Sequence, residues 1–291
     1  MSASPASASP VPVSASPVPV AHPWPLRLWR SVQLAWARLT SRDGYVEARA
    51  APFGLTFTGP GADCITRHIH RLGAHEPEIT RYLLEHVRLG PDDVAFDVGA
   101  NLGWYSVLLD RLSAPGARIF AFEPDPESYR LLLANLAANG AARVTAVNQA
   151  VGASPGSAEL YRYRTTNIGR HSLLHHNPQG QVRVAVTTLA DFWQRAGLGG
   201  KSIRFLKVDV EGYEYFVLQG AGDLLERCAC LQLEYSPDSF PSAGLDAGAM
   251  IELLRRAGLT ASVFMNGELR PISYAEVARL DSQHDLILTR A

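Results

Sequence analysis

The chain has 291 residues, of which 47% are hydrophobic and 19% are charged, so it can bury a proper core and is long enough for one large domain or two small ones. Its 27 lysines and arginines are balanced by 28 aspartates and glutamates, and this formal charge of −1 argues against a general nucleic-acid binder. The cysteines, Cys64, Cys228 and Cys230, are odd in number and form no C-x-x-C pair, which predicts buried thiols in a reducing cytoplasm rather than a disulfide framework or a zinc knuckle.

The N-terminal segment is of low complexity. Residues 1–20 carry no charged side chain and are rich in serine, proline and alanine, so we predict a disordered tail over residues 1–23. The segment lacks a basic start and its prolines interrupt every apolar run, so it is not predicted to be a signal peptide. No stretch elsewhere approaches about 18 uninterrupted apolar residues, so no membrane span is predicted.

Residues 24–40 have the pattern of an amphipathic helix, in which apolar residues recur at helical spacing and arginines supply positive charge. These residues are Leu28, Val32, Trp36 and Leu39, with Arg27, Arg30 and Arg38. The favoured interpretation is a helix that packs its apolar stripe on the body of the protein. The alternative is a weak membrane-surface or partner contact through residues 24–40.

A hairpin and two helices follow and complete an N-terminal cap over residues 24–92. The hairpin is predicted at residues 45–50 and 53–58, and the helices at 62–72 and 76–88.

From residue 93 onward, short β-rich runs alternate with amphipathic helices, which indicates βαβ units and a mostly parallel sheet in a domain over residues 93–291. The strands are predicted at 94–98, 118–122, 143–147, 203–208 and 229–235, and the helices at 103–112, 125–138 and 214–218. Residues 150–190 have a different texture and are predicted to be a β insertion with strands at 158–163 and 181–187. The C-terminal part, from residue 246, is predicted to add a helix, a strand at 260–264, a short helix at 274–280 and a final strand at 285–289.

A glycine turn follows the first strand of this domain. Gly99 and Gly103 let the backbone turn tightly and approach a ligand without interference from a Cβ atom. Asp97, at the end of the strand, is suited to accept a hydrogen bond from a ligand ammonium group, and the helix amides after Gly103 offer donors to a carboxylate.

Glu123 ends the next strand, about 20 residues beyond the turn, where a carboxylate in this kind of fold hydrogen-bonds a ribose diol. Together the two features predict a bound cofactor of the adenosine type. The nicotinamide fingerprint G-x-G-x-x-G is not met, since only Gly99 and Gly103 are present. An NAD-dependent oxidoreductase is therefore the weaker alternative.

The order of several motifs resembles the FkbM family of methyltransferases over roughly residues 64–236. The motifs are Asp97-Val-Gly-Ala-Asn-Leu-Gly103, Phe122-Glu-Pro124, Asn148-Gln-Ala150, Val186-Thr-Thr-Leu189 and Leu206-Lys-Val-Asp-Val-Glu-Gly-Tyr-Glu214. The resemblance implies a class I, Rossmann-like α/β fold with a seven-stranded, mostly parallel sheet flanked by helices. It also implies S-adenosylmethionine as cofactor and O-methylation of natural products or glycans.

The resemblance further implies roles for single residues around the cofactor. Asp97, Gly99, Asn101 and Gly103 would shape the methionine end of the pocket. Glu123 would hold the ribose, and Asn148 would lie near the adenine.

Three carboxylates, Asp209, Glu211 and Glu214, follow the strand at 203–208, at the edge of the sheet where ligands bind in such folds. They cannot all ionise at little cost unless a cation or a hydrogen-bond donor lies among them. The favoured interpretation is a proton acceptor and clamp for a substrate hydroxyl. The alternatives are a divalent-metal site that also uses Glu234, and an acidic helix start with Lys207 as counter-charge; the expectation is no metal.

The β insertion supplies a candidate base. His171 lies beside Ser172-Leu173 in a polar loop, and imidazole is suited to accept a hydroxyl proton near neutral pH, although a solvated surface role is the more common one. Arginines in this region leave open an anionic substrate, and His175 and His176 lack partners at zinc-ligand spacing.

These features together predict an S-adenosylmethionine-dependent O-methyltransferase that acts on a hydroxyl of a small molecule, natural product or glycan. A non-catalytic nucleotide-binding module is the second alternative. No nucleic-acid partner is expected.

Overall fold

The computed structural model of the protein describes residues 24–164, 166–174 and 180–290. The predicted tail and both histidines at 175 and 176 lie outside the described residues.

The helices are α1 (Trp24–Thr40), α2 (Cys64–Leu72), α3 (Pro77–His86), α4 (Trp104–Arg111), α5 (Pro126–Ala138), α6 (Leu189–Arg195), α7 (Glu214–Ala221), α8 (Ala247–Arg256) and α9 (Tyr274–Val277). The strands are β1 (Tyr45–Ala50), β2 (Leu55–Pro60), β3 (Asp93–Val98), β4 (Arg118–Phe122), β5 (Val144–Val147), β6 (Ala150–Val151), β7 (Gly156–Tyr161), β8 (Gln181–Thr187), β9 (Ser202–Val208), β10 (Cys230–Tyr235), β11 (Leu259–Met265), β12 (Glu268–Ile272) and β13 (His284–Arg290).

The main sheet confirms the α/β, mostly parallel architecture. Its strand order is β12-β11-β13-β10-β9-β3-β4-β5. The run from β10 to β5 pairs in parallel, whereas β13 is antiparallel to both of its neighbours. Within the described residues the sheet thus has eight strands, one more than the expected seven, because β12 forms a hairpin with β11.

Both faces of this sheet are buried, which is why its strands are almost continuously apolar. Neighbouring residues of β3 point to opposite faces, so Ala95 belongs to one apolar cluster and Phe96 to the other. The first cluster joins α4 and α5 to the cap, and the second is covered by α6, α7 and α8. The cap over residues 24–92 therefore shares a core with the sheet.

Local signals account for several helix ends. The Asp125 carboxylate accepts hydrogen bonds from the backbone N–H groups of Glu127 and Ser128, and Pro126 takes the first position of α5. Helix α6 was not expected from the sequence. It begins at the Thr188 hydroxyl, which accepts a hydrogen bond from the backbone N–H of Asp191.

The β insertion forms a small separate sheet in the order β6-β8-β7. Strand β8 has the predicted bounds, whereas β7 begins at Gly156, two residues before the predicted start. The Ser172 hydroxyl donates a hydrogen bond to the backbone carbonyl of Glu211 at 2.8 Å, which ties the insertion to the end of β9.

Helix α1 contradicts the favoured interpretation of its apolar stripe. The residues expected to face the body, Leu28, Val32, Trp36 and Leu39, are between 58% and 86% exposed. The helix is held instead by its other side, where Leu34 is buried and Arg30 donates a hydrogen bond to the backbone carbonyl of His70 at 3.1 Å. None of the described helices is long and apolar enough to cross a membrane.

Candidate active site

A cavity of about 260 Å³ lies at the carboxyl ends of β3, β4, β9 and β10. Parallel strands bring their carboxyl ends to one edge of the sheet, and ligands of open α/β sheets bind there. The cavity is lined by residues from both predicted motifs, among them Gly99, Asn101, Glu123, Asp209 and Glu211. The cap and the β insertion add lining residues from α2 and from the loop around His171.

The glycine turn contributes to the site in two ways. Gly99 has φ +84°, and a Cβ atom there would come within 1.9 Å of the backbone oxygen of Asp209. Only glycine therefore lets the ends of β3 and β9 approach this closely. Gly103, with φ +87°, lies outside the cavity lining, and a Cβ atom there would meet Leu132 of α5 at 2.6 Å.

Glu123 is buried and faces the cavity. Its Oε2 accepts a hydrogen bond from the backbone N–H of Asn101 at 2.9 Å, and its Oε1 accepts one from the backbone N–H of Asp125 at the same distance. Burial raises the pKa of Glu123 to about 8, and it outweighs the two N–H donors, which favour the ionised form.

Asn101 and Asn148 have different positions relative to the cavity. The side-chain oxygen of Asn101 is buried and has no hydrogen-bond partner among the described residues, which leaves an acceptor for a ligand donor. Asn148 does not line the cavity, although its neighbour Gln149 does. The amide of Asn148 donates to the backbone carbonyls of Glu123 and Pro124 at 2.8 and 3.0 Å, so it holds the loop that presents Glu123.

We call Glu123, Gly99 and Asn101, which all line the cavity, the Glu123 cradle. The cradle fits the expected cofactor. It offers a carboxylate for a ribose, a close glycine turn and an unpartnered amide oxygen for an adjoining charged chain.

Asp97 is fully buried and does not belong to the cavity lining. The Ser106 hydroxyl donates a hydrogen bond to Asp97 Oδ2 at 2.6 Å. Burial raises the pKa of Asp97, and Lys207, with Nζ 4.0 Å from Oδ1, opposes the shift. The expected contact with a ligand ammonium group stays a prediction.

Lys207 is a buried cation among these acids. Its Nζ lies 2.9 Å from Asp209 Oδ2 and 5.3 Å from the centre of the Tyr105 ring. Burial lowers the pKa of an ammonium group, but the carboxylates of Asp209 and Asp97 outweigh it, and the pKa of Lys207 is raised above its ordinary value. The side chain therefore carries its charge and forms an ion pair with Asp209.

Asp209, Glu211 and Glu234 can place one oxygen each within 4.8 Å of one another. Burial and the neighbouring Asp209 raise the pKa of Glu211 to about 8, and Arg170, 3.7 Å away, opposes this shift. Burial and the nearby carboxylates of Asp209, Glu214 and Glu211 raise the pKa of Glu234. Glu211, with a pKa of about 8, is half deprotonated near pH 8 and is a competent proton acceptor there.

Glu214 does not line the cavity. Its Oε1 accepts hydrogen bonds from the backbone N–H groups of Val210 and Gly212, both at 3.0 Å. The turn between them places Glu211 at φ +54° and Gly212 at φ +96°. The structure thus gives Glu214 the position of a residue that shapes the turn carrying Glu211.

His171 lines the cavity, but its ring is committed. Its Nδ1 accepts a hydrogen bond from the backbone N–H of Tyr163 at 2.9 Å. Burial lowers the pKa of His171, so the neutral ring carries its proton on Nε2 and offers a donor rather than an acceptor. The geometry favours a hydrogen bond to a substrate oxygen over proton removal.

Among the lining residues that sequence reasoning missed are His75 and Glu76, which precede α3. His75 Nε2 lies 3.3 Å from Glu76 Oε1, and the Tyr105 hydroxyl donates a hydrogen bond to Glu76. The charges of His75 and Lys207 outweigh burial and lower the pKa of Glu76 to about 2. The only sequence signal was an acid directly before Pro77, where the chain enters the helix at φ +42°.

The family model for the methyltransferase FkbM domain matches residues 97–259, which is more than half of the chain. The chain belongs to the FkbM methyltransferase family. An FkbM-family protein is a methyltransferase, and its cofactor is S-adenosylmethionine, as the sequence predicted. The family match therefore favours a methyltransferase over the NAD-dependent oxidoreductase and over the non-catalytic nucleotide-binding module.

Three curated relatives show the range of the family. The chain is 32% identical over 170 residues to the 31-O-demethyl-FK506 methyltransferase FkbM of Streptomyces tacrolimicus, covering 49% of this chain and 64% of that protein. It is 26% identical over 188 residues to the hexuronic acid methyltransferase AglP of Haloferax volcanii, and the match covers 65% of this chain and 71% of that protein. It is 27% identical over 184 residues to the 2-O-methyltransferase NoeI of Sinorhizobium fredii, and the match covers 59% of this chain and 74% of that protein.

Proposed function

We propose that this protein transfers the methyl group of S-adenosylmethionine to a hydroxyl oxygen of a small molecule, a natural product or a glycan. The observation that carries the proposal is that the Glu123 cradle and the carboxylates of Asp209 and Glu211 line one cavity. The names of the relatives support it, because two describe O-methyl transfer and one describes a methyltransferase that acts on a hexuronic acid.

The cofactor is held by the cradle. Glu123 accepts hydrogen bonds from the ribose hydroxyls, and Asn101 and the backbone at Gly99 border the rest of the ligand. Gly103 and Asn148 shape the cradle from outside the cavity, and Asp97, also outside the lining, accepts a hydrogen bond from Ser106 of α4. When bound, S-adenosylmethionine supplies an activated methyl group.

The acceptor hydroxyl is oriented by the carboxylates. Lys207 pairs with Asp209 at 2.9 Å and holds its carboxylate in place, so Asp209 accepts a hydrogen bond from the hydroxyl and fixes its direction. Glu211, whose pKa burial raises to about 8, takes the hydroxyl proton. His171 donates a hydrogen bond from Nε2 to a substrate oxygen, and Glu214 keeps the Glu211 turn in shape.

Positioning contributes more than proton removal. Orientation of the reacting groups lowers a barrier by up to roughly 7–11 kcal/mol. A general base adds a factor of about 10²–10⁴. We therefore expect a loss of Glu211 to slow turnover without abolishing it.

The test is a methyl-transfer assay with labelled cofactor against panels of sugars and hydroxylated small molecules. Once an acceptor is found, Asp209→Asn and Glu211→Gln should lower turnover by about 10²–10⁴ and change cofactor affinity little. Glu252→Gln, which makes the same chemical change on exposed helix α8, is the matched control and should be silent.

The pH profile separates the roles. Glu211 must be deprotonated to accept a proton, so the rate should rise with pH through about 8, and Glu211→Gln should flatten this rise. His171→Ala should lower the rate without removing the rise. Full turnover in both carboxylate variants contradicts the assignment, and activity that a chelator removes and magnesium restores favours a metal site instead.

A further inference from the structure

The N-terminal helix turns its apolar stripe to solvent. Within the described residues, seven large hydrophobic side chains are exposed, and five of them lie in α1: Leu28, Trp29, Val32, Trp36 and Leu39. Their spacing places them on one side of the helix. A contiguous exposed apolar surface of this kind on a folded protein marks an interaction site.

The opposite side of α1 is firmly attached. Leu34 is buried, and Arg30 and His70 exchange two contacts of 3.1 Å, one from the Arg30 guanidinium to the His70 carbonyl and one between the His70 ring and the Arg30 carbonyl. The body therefore presents α1 in a fixed orientation with its stripe outward.

The charged side chains of α1 and of the two residues directly after it are all positive. Four arginines, Arg27, Arg30, Arg38 and Arg42, lie in α1 or directly after it, and the first acidic residue of the chain is Asp43. The whole chain has a formal charge of −1, so this segment is positive while the rest is negative. Of these arginines, Arg38 and Arg42 are exposed.

We propose that α1 docks the protein on an anionic lipid surface. The helix lies in the plane of the headgroups with its tryptophans and aliphatic side chains inserted, and the exposed Arg38 and Arg42 supply positive charge toward the lipid phosphates. Tryptophan beside arginine is the composition that suits this depth of a bilayer, where one end of each side chain is apolar and the other is wet. With 17 residues, about 25 Å of helix, α1 lies on the surface rather than spanning it.

Two other occupants fit the charges less well. A second copy that pairs its stripe with this one would bring two segments of the same positive charge side by side, which like-charge repulsion opposes. The preceding residues 1–23 have no acidic side chain to pair with the arginines and few large apolar ones to cover two tryptophans.

Docking would act close to the cavity. Helix α2 contacts α1 through His70, and the same helix lines the cavity with Cys64, Ile65 and His68. The lipid surface therefore lies one helix away from the candidate active site. The proposal does not depend on which acceptor is methylated.

The experiment is vesicle flotation of the full chain with phosphatidylcholine alone and with phosphatidylcholine containing phosphatidylglycerol. We expect binding to the anionic vesicles to be at least about tenfold tighter and to weaken when the salt concentration is raised. Trp29→Ser with Trp36→Ser should abolish binding, and Arg38→Gln with Arg42→Gln should remove the preference for anionic lipid. Leu133→Ser, at an exposed apolar residue of α5, is the matched control and should bind as the unchanged protein does.

The changed side chains are exposed, so melting temperatures should stay unchanged and a lost fold would be visible at once. Equal binding to both vesicle types, or an equal loss in Leu133→Ser, overturns the proposal. Light scattering that shows a dimer broken by the tryptophan changes, without vesicle binding, assigns the stripe to a second copy. Binding that appears only after deletion of residues 1–23 assigns it to the preceding segment.

Discussion

Gly99 combines two constraints whose effects can be measured separately. Its φ of +84° is unfavourable for a residue with a Cβ atom, and that atom would lie 1.9 Å from the Asp209 backbone oxygen. The left-handed conformation costs about 1–2 kcal/mol, and overpacking against a backbone atom costs about 1–3 kcal/mol more. Gly99→Ala should therefore lower the free energy of unfolding by about 2–5 kcal/mol, a large part of a typical 5–15 kcal/mol.

A matched variant isolates the steric part. Gly140, after α5, has φ +64°, and a Cβ atom there would meet nothing within 4 Å. Gly140→Ala should lose only the conformational part, about 1–2 kcal/mol. Urea unfolding measures both variants, and cofactor titration should show weaker binding in Gly99→Ala alone, because the Asp209 backbone must move. Equal losses in the two variants would refute the close approach of β3 and β9.

Three further results are expected. Glu123→Ala should weaken binding of S-adenosylmethionine and of its demethylated product by about 1–3 kcal/mol in calorimetry, because the ribose hydroxyls lose their buried hydrogen-bond acceptor; unchanged affinity would remove the ribose from this position. Lys207→Met should lower the free energy of unfolding by about 3–5 kcal/mol, because Asp209 and Asp97 lose their shared cation, and a neutral result in urea unfolding would contradict the ion pair. The ligand-free protein should melt at a lower temperature at pH 9 than at pH 6, because burial raises the pKa of Glu123 and Glu211 to about 8 and the stability of their protonated forms is lost as the pH rises through that value. A melting temperature that stays level or rises over this range would show that these groups are ionised in the folded protein.

The parallel core of the fold was predictable because its strands are buried on both sides and bounded by turn residues. The predicted strand at 118–122 coincides with β4, and β3, β5, β9 and β10 differ from their predicted bounds by one residue. The hairpin to β12 carried a readable signal that was overlooked. Asn266 and Gly267 have φ of +53° and +81°, and an Asn-Gly pair between strand-like runs is typical of a tight β-hairpin.

The site was predictable to the level of the sheet edge and no further. Strand order places Glu123 and Asp209 at one edge, and both line the cavity. Which way a side chain leaves its turn depends on contacts between distant segments. Glu214 and Asn148 therefore bond to neighbouring backbone groups instead of facing the ligand, and His75 enters from a cap whose position no spacing reveals.

Helix α1 shows the same limit on a surface. Periodicity says which residues share a side of a helix, but not whether that side is covered. The stripe of α1 was expected inward because apolar residues usually are. The structure instead attaches α1 through Leu34 and Arg30, which a count of apolar residues does not single out.

The buried carboxylates around the cavity lower the stability of the ligand-free protein but serve its proposed function. Burial raises the pKa of Glu123, Glu211 and Glu234, and among the described acids Lys207 forms ion pairs with Asp209 and Asp97 alone. Without a ligand these acids are therefore held partly protonated, at a cost to stability that grows with pH. A bound cationic cofactor favours the ionised forms of these acids, and Glu211 then serves as a proton acceptor beside it. A better-compensated cluster would be more stable, but it would lose both properties.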